Sequence, residues 1–150
     1  MKYLRDIPVL AGKCVLVRVD CNVPLTQGDV ADDTRINASV PTIQYLCDAG
    51  AKVIIITHLG RPGGVVDDAL RIAPVAKQLS AIMGKEIPAL QAWIGPDVEN
   101  AVAAMQPGDA IMVENIRFAP DEKTDSGTLA ADLAALGELF VFDAFAVAHR

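Results

Sequence analysis

The sequence predicts an α/β fold: an open parallel, Rossmann-like sheet with helices on both faces, in three α/β/α layers. Three observations predict it. Short aliphatic runs alternate with segments of helical spacing along the whole chain. Of the 150 residues, 52% are hydrophobic but only 5% aromatic, so Val, Ile, Leu and Ala must fill the core, as in strands buried on both faces. Capping and turn residues fall mainly between the segments. Because crossovers between parallel strands are right-handed, this alternation leaves few other arrangements. The length suits one core, so a single domain is expected over residues 1–150.

The first expected strand is Cys14–Val19. Ile36, Val40, Ile43, Leu46 and Cys47 then recur along one helical face. Asp32, Asp33 and Thr34 can cap the start of this helix, and Gly50 can end it in the left-handed conformation. Val53–Thr57 is the second strand, followed by a helix carrying Ile72, Val75, Ala76, Leu79, Ile82 and Met83, with Gly84 after it. Ile87–Leu90 reads as a third, weaker strand because Pro88 removes a ladder donor. Pro96 suits a first helical turn, Val98, Val102 and Met105 share a face, and Pro107-Gly108 closes that helix. Ala110–Val113 is the fourth strand, Leu129, Leu133 and Leu136 mark a helix, and Leu139–Phe142 is the fifth strand.

Composition excludes several function classes. A net charge of −6 with no basic stretch argues against a nucleic-acid binder. Cys14, Cys21 and Cys47 form no C-x-x-C pair, and His58 and His149 offer no metal-ligand spacing. Reduced thiols are therefore expected, and no metal site. The N-terminus lacks an apolar run after its charges, and Val53–Ile56 is far too short for a membrane span. A soluble, cytoplasmic protein without a membrane partner is the expectation.

Ligands of open parallel sheets bind beyond the carboxyl ends of the strands. Asp20 and Asn22 follow the first strand, and Arg35 begins the next helix. His58 and Arg61 follow the second strand, in His58-Leu59-Gly60-Arg61-Pro62-Gly63-Gly64. Glu114, Asn115 and Arg117 follow the fourth, and Asp143, His149 and Arg150 the fifth. Four of the chain's seven arginines thus gather at one sheet edge. Like charges there repel by roughly 1 kcal/mol per pair at about 4 Å in water. A small ligand with phosphate and carboxylate groups accounts for the cluster, because guanidinium forks match both. Asp20 and Asn22 fit a turn before Pro24 and, equally, a contact to a ligand hydroxyl. Gly60, Gly63 and Gly64 read as loop glycines or as an anion cradle. His58 reads as a partly buried hydrogen-bonding residue whose cationic form Arg61 disfavours, and Arg18 as half of a structural ion pair. Neither G-x-x-x-x-G-K-[ST] nor G-x-G-x-x-G after the first strand is present, so no nucleotide loop is evident.

Four segments together resemble the phosphoglycerate kinase family. They are Val17-Arg18-Val19-Asp20-Cys21-Asn22-Val23-Pro24 with Asp32-Asp33-Thr34-Arg35-Ile36 downstream, His58-Leu59-Gly60-Arg61-Pro62, Glu114-Asn115-Ile116-Arg117-Phe118, and Asp143-Ala144-Phe145-Ala146-Val147-Ala148-His149-Arg150. The resemblance implies a hinged two-domain enzyme of glycolysis that exchanges a phosphoryl group between 1,3-bisphosphoglycerate and ADP, giving 3-phosphoglycerate and ATP. It implies substrate contacts by Asp20, Asn22, Arg35, His58, Arg61, Arg117 and Arg150, with Arg35 as the catalytic arginine. Mg-ATP and Mg-ADP would be held mainly by a C-terminal nucleotide-binding domain outside this chain. The whole enzyme would be a monomer, and this piece alone inactive. Cys21 stands where Phe or Leu is usual, Phe142 where Asn is common, Ala119 where a larger polar residue is frequent, and Ala146-Val147 where Gly-Thr is commoner. Ala146 is expected to stiffen the loop before Arg150. A non-catalytic anion-binding module on the same scaffold is the alternative, since fold does not fix function. Without a helix after the last strand, one face is expected to expose apolar surface and to favour self-association.

Overall fold

The computed structural model describes residues 1–124 and 127–149. Its main sheet contains β1 (Cys14–Val19), β4 (Lys52–Ile56), β5 (Ala110–Met112) and β6 (Leu139–Asp143), with β2 (Leu25–Thr26) and β3 (Asp29–Val30) forming a separate hairpin. The sheet order is β5-β4-β1-β6, and every pairing in it is parallel. Helices α1 (Thr34–Asp48), α2 (Ala73–Met83), α3 (Pro96–Ala103) and α4 (Leu129–Ala134) fill the connections.

Strand alternation divides the core in two. Val15, Val17 and Val19 of β1 and Val53 and Ile55 of β4 meet Ile36, Ile43 and Leu46 of α1 and Val75 and Leu79 of α2. Leu16, Ile54, Ile56 and Ile111 point the other way and meet Val98 of α3 and Leu129 of α4. Successive side chains leave opposite faces of a strand, so the consecutive hydrophobic residues Val15–Val17 of β1 and Val53–Ile56 of β4 require helices on both sides. The expected three-layer arrangement is observed.

Local chemistry sets the element ends. Helix α1 begins beside Asp32 rather than with a side-chain cap from Asp33: Asp32 Oδ1 accepts from Thr34 N at 2.9 Å and Thr34 Oγ1 at 2.6 Å. It ends in a Schellman arrangement, with Gly50 N donating to Cys47 O at 3.0 Å and Ala51 N to Leu46 O at 3.1 Å. Gly50 has φ 79°, the left-handed geometry that glycine adopts without steric cost. Pro96 occupies the first turn of α3, as its missing N–H allows. Pro41 lies inside α1, where a proline costs a backbone hydrogen bond.

Two features differ from the sequence expectation. Ile87–Leu90 lies beside β5 but is not a strand: only Ala89 bridges to Met112. Met112 N donates to Pro88 O and Leu90 N to Met112 O, while Pro88 itself has no N–H to extend the ladder. The β2–β3 hairpin was not anticipated; Gln27 and Gly28, with φ 51° and 81°, form its two-residue turn. Among the described residues, no helix is long and apolar enough to cross a membrane.

Candidate functional site

The carboxyl ends of β1, β4, β5 and β6 open on one cleft of about 440 Å³. Asp20, Asn22, Arg35, His58, Arg61 and Arg117 all line it. The structure thus brings together six of the seven residues expected from sequence. The seventh, Arg150, lies outside the described residues.

Parallel strands produce this convergence because their carboxyl ends share one edge. Asp20 sits directly after β1 and does two things. Its Oδ1 accepts from Asn22 N at 3.2 Å, which shapes the turn, and its carboxylate accepts from Arg35 Nη1 at 3.0 and 3.3 Å. The Arg35 side chain is 53% exposed, and exposed pairs contribute only about 0.2–1 kcal/mol. Hydrogen bonds to an anionic ligand contribute about 1.5–3 kcal/mol each. Asp20 therefore orients Arg35 without competing strongly against such a ligand.

Asn22 Oδ1 accepts from Gly60 N at 2.9 Å, joining the β1 loop to the β4 loop. Gly64 N donates to Arg117 O at 3.1 Å. Two of the three candidate cradle N–H groups are thus used within the protein, and both residues act as loop glycines. Gly60 adopts φ +63°, and a Cβ there would lie 2.7 Å from a Leu70 methyl carbon. That close approach brings the β4 loop against the segment leading to α2.

Residues that the sequence reading did not assign to the site hold these loops in place. Asn115 is fully buried and uses its entire hydrogen-bonding capacity. Its Nδ2 donates to Leu59 O at 2.7 Å and Leu70 O at 2.9 Å, while Oδ1 accepts from Leu59 N and Arg117 N, each at 3.2 Å. The neighbouring Glu114 carboxylate is also buried. It accepts from Ile72 N and Asn115 N at 2.8 Å and from Arg71 Nη1 at 3.2 Å. Asn115 and Glu114 were visible after the fourth strand, but nothing local distinguishes a ligand contact from a loop pin.

Arg117 Nη1 donates to Gly60 O at 2.9 Å, whereas its buried Nε has no hydrogen-bond partner among the described residues. An unsatisfied buried donor costs about 1–3 kcal/mol. Lys123 also lines the cleft, from a loop in which no motif marked it. Among the described residues lining the cleft, Arg35, Arg61, Arg117 and Lys123 stand against a single carboxylate, that of Asp20. This excess of positive charge, in a chain of net charge −6, suits a multiply anionic ligand.

His58, 2% exposed, lies within 3.3 Å of Arg18 through its Nδ1. Arg18 is therefore a histidine partner as well as a strand residue. Cys21, between Asp20 and Asn22, is fully buried; burial pushes its thiol up to about 11, against hydrogen bonds from Ser39 and Thr57 that lower it. It remains a protonated packing group at neutral pH. Ala146 lies in the 3-10 turn Phe145–Val147 with no positive φ, so a side chain there causes no backbone strain. Among the described residues, no three His, Cys, Asp or Glu side chains are grouped to hold a metal ion.

Comparisons with known proteins identify the family of the chain. The family model described as phosphoglycerate kinase matches residues 4–150. A phosphoglycerate kinase of Moorella thermoacetica is 48% identical over 147 residues, which are 98% of this chain and 37% of that protein. One from Desulfosudis oleivorans is 51% identical over 151 residues, covering 100% of this chain and 38% of the relative. The crystal structure of phosphoglycerate kinase from Pyrococcus horikoshii OT3 superposes with a TM-score of 0.91 at 31% identity, over 100% of this chain and 38% of that one. The chain thus spans less than two fifths of the length of these relatives. On the match over residues 4–150, it belongs to the phosphoglycerate kinase family.

Proposed function

We propose that this chain is the substrate-binding N-terminal domain of a phosphoglycerate kinase and that its cleft binds 3-phosphoglycerate and 1,3-bisphosphoglycerate. The observation that carries this reading is the convergence of Asp20, Asn22, Arg35, His58, Arg61 and Arg117 on one cleft. Arg61, Arg117 and His58 hold the phosphate, together with Arg150. Asp20 and Asn22 take the glycerate hydroxyl. Arg35, exposed at the rim and oriented by Asp20, serves the carboxylate and then the transferring phosphoryl group.

The reaction moves the acyl phosphate of 1,3-bisphosphoglycerate to ADP, leaving the carboxylate of 3-phosphoglycerate; the reverse uses that carboxylate as nucleophile. No general base is needed. Catalysis is then alignment and charge stabilisation, which an arginine-lined cleft provides. Mg-ADP and Mg-ATP are substrates of the second, nucleotide-binding domain, which lies outside this chain. Among the described residues, no group of three His, Cys, Asp or Glu side chains could hold a metal ion.

Titration of the chain with 3-phosphoglycerate, followed by amide chemical shifts, tests the reading. Shifts at Arg35, Arg61 and Arg117 at millimolar ligand are expected, with inorganic phosphate binding more weakly. No shifts at these positions would reject the site. Equal affinity for inorganic phosphate would favour a general anion module over a phosphoglycerate domain.

A further inference from the structure

We propose that Arg18 is a positioning residue that fixes His58 as the neutral tautomer bearing its hydrogen on Nε2, so that the ring donates to a ligand oxyanion. The inference rests on the reading of the cleft as a phosphoglycerate site, and it adds the chemical form of one of its residues.

The placement follows from strand register. Arg18 of β1 pairs with Ile56 of β4. His58 lies two residues beyond Ile56, so the two-residue period turns it to the same face as Arg18. The long arginine side chain spans the offset and places Nη2 at 3.3 Å from His58 Nδ1. A guanidinium has only donors. The contact is a hydrogen bond only if Nδ1 is the acceptor, which leaves the ring hydrogen on Nε2. A doubly protonated ring would set an N–H against an N–H.

The surroundings act in the same direction. Arg35, Arg61, Arg117 and Lys123 line the cleft with His58, and among the described residues Asp20 is the one carboxylate that does. Further positive charge on a ring 2% exposed is disfavoured by burial and by like charges. His58 is thereby a neutral donor in a site whose charge comes from arginine and lysine. Arg18 touches His58 and acts through it.

The two histidines of the chain make the test direct. Long-range proton–nitrogen correlation spectra of the ligand-free chain at about pH 7.5, above the ordinary histidine range, read each ring's tautomer. His58 is expected to show a pyridine-type Nδ1 and a pyrrole-type Nε2. Arg18→Met removes the donors; it should move His58 into mixed tautomers and weaken 3-phosphoglycerate binding by about fivefold, as loss of one hydrogen bond does. Arg18→Lys keeps a donor and should restore the Nε2–H form. A hydrogen on Nδ1 in the unaltered chain, a doubly protonated ring, or an Arg18→Met chain with unchanged His58 signals would overturn the assignment. If Arg18→Met does not fold, the unaltered spectrum and Arg18→Lys still decide it. The expected tautomer without any 3-phosphoglycerate binding would instead reject the ligand reading and leave the Arg18–His58 relation standing.

Discussion

The loops after β1, β4 and β5 make one side of the cleft, and the segment after β6 makes the other. On the first side, strands are buried and the loops are cross-tied: Asn22 to Gly60, Asn115 to Leu59, Leu70 and Arg117, and Glu114 to Ile72. On the second, β6 is an edge strand. Phe140 and Phe142 are 62% and 40% exposed, and Phe145 just beyond is 78% exposed. These rings touch one another edge-on or tilted rather than entering the core. The clearest tie across to the helices is Thr42 of α1, whose hydroxyl donates to Asp143 Oδ2 at 2.6 Å. β5 is an edge strand as well, but along its outer flank Met112 N donates to Pro88 O and Leu90 N to Met112 O, whereas among the described residues no strand pairs with the outer side of β6. The side carrying Arg61 and Arg117 is therefore held by several buried bonds, and the side carrying His149 by fewer.

The strongest way to break this comparison is to remove the pin on each side. Asn115→Ala leaves four backbone groups without their partner and should cost roughly 4 kcal/mol after partial rehydration. Thr42→Val should cost only about 1–2 kcal/mol. Urea unfolding of both variants measures the difference, and equal losses would show that the two sides are held alike.

A second pair compares the strands themselves. Ile55→Ala in the fully buried centre of β4 should destabilise by about 3 kcal/mol through lost transfer energy and a cavity. Phe140→Ala on β6 should cost under about 1 kcal/mol despite the larger side chain, because most of the ring is already in water. If the exposed phenylalanines mediate self-association, Phe140→Ala should also lower the apparent mass in sedimentation.

A third test uses pH to probe burial beside Asp20. The Cys21 thiol is protonated in folded and unfolded chains alike below its ordinary value of 9.0, and burial raises it to about 11 in the fold. As pH rises from 9 toward 11, only the unfolded chain releases the proton. Stability should therefore fall over that window, by about 2 kcal/mol at most. Burial also raises the Cys47 thiol, so Cys21→Ala should flatten the alkaline slope in part. A slope unchanged by Cys21→Ala would mean that this side of the cleft is wetter than its packing indicates.

Most of the layout was legible in the chain. Aliphatic runs at Cys14–Val19 and Val53–Thr57 need cover on both faces, and the face of Ile36, Ile43 and Leu46 supplies it on one. Gly50 and Pro96 marked helix ends through backbone restrictions that do not depend on distant contacts. Ile87–Leu90 was misread because its aliphatic residues resemble a strand, while Pro88 limits it to one bridge. The candidate ligand residues were legible because parallel strands deliver whatever follows them to one edge.

Sequence by itself determined that Asp20, Asn22, Arg35, His58, Arg61 and Arg117 follow the ends of parallel strands and so share one edge, whereas Lys123 arrives from a loop that no motif marked. Tertiary structure decided what each one does there. Asn115 became a pin, Asp20 an orienting partner for Arg35, and Arg18 a partner of His58. Each role depends on contacts between residues 15 to 56 positions apart, set to within a few tenths of an ångström. Local sequence carries the donors and acceptors, and only the packed sheet selects which of them meet.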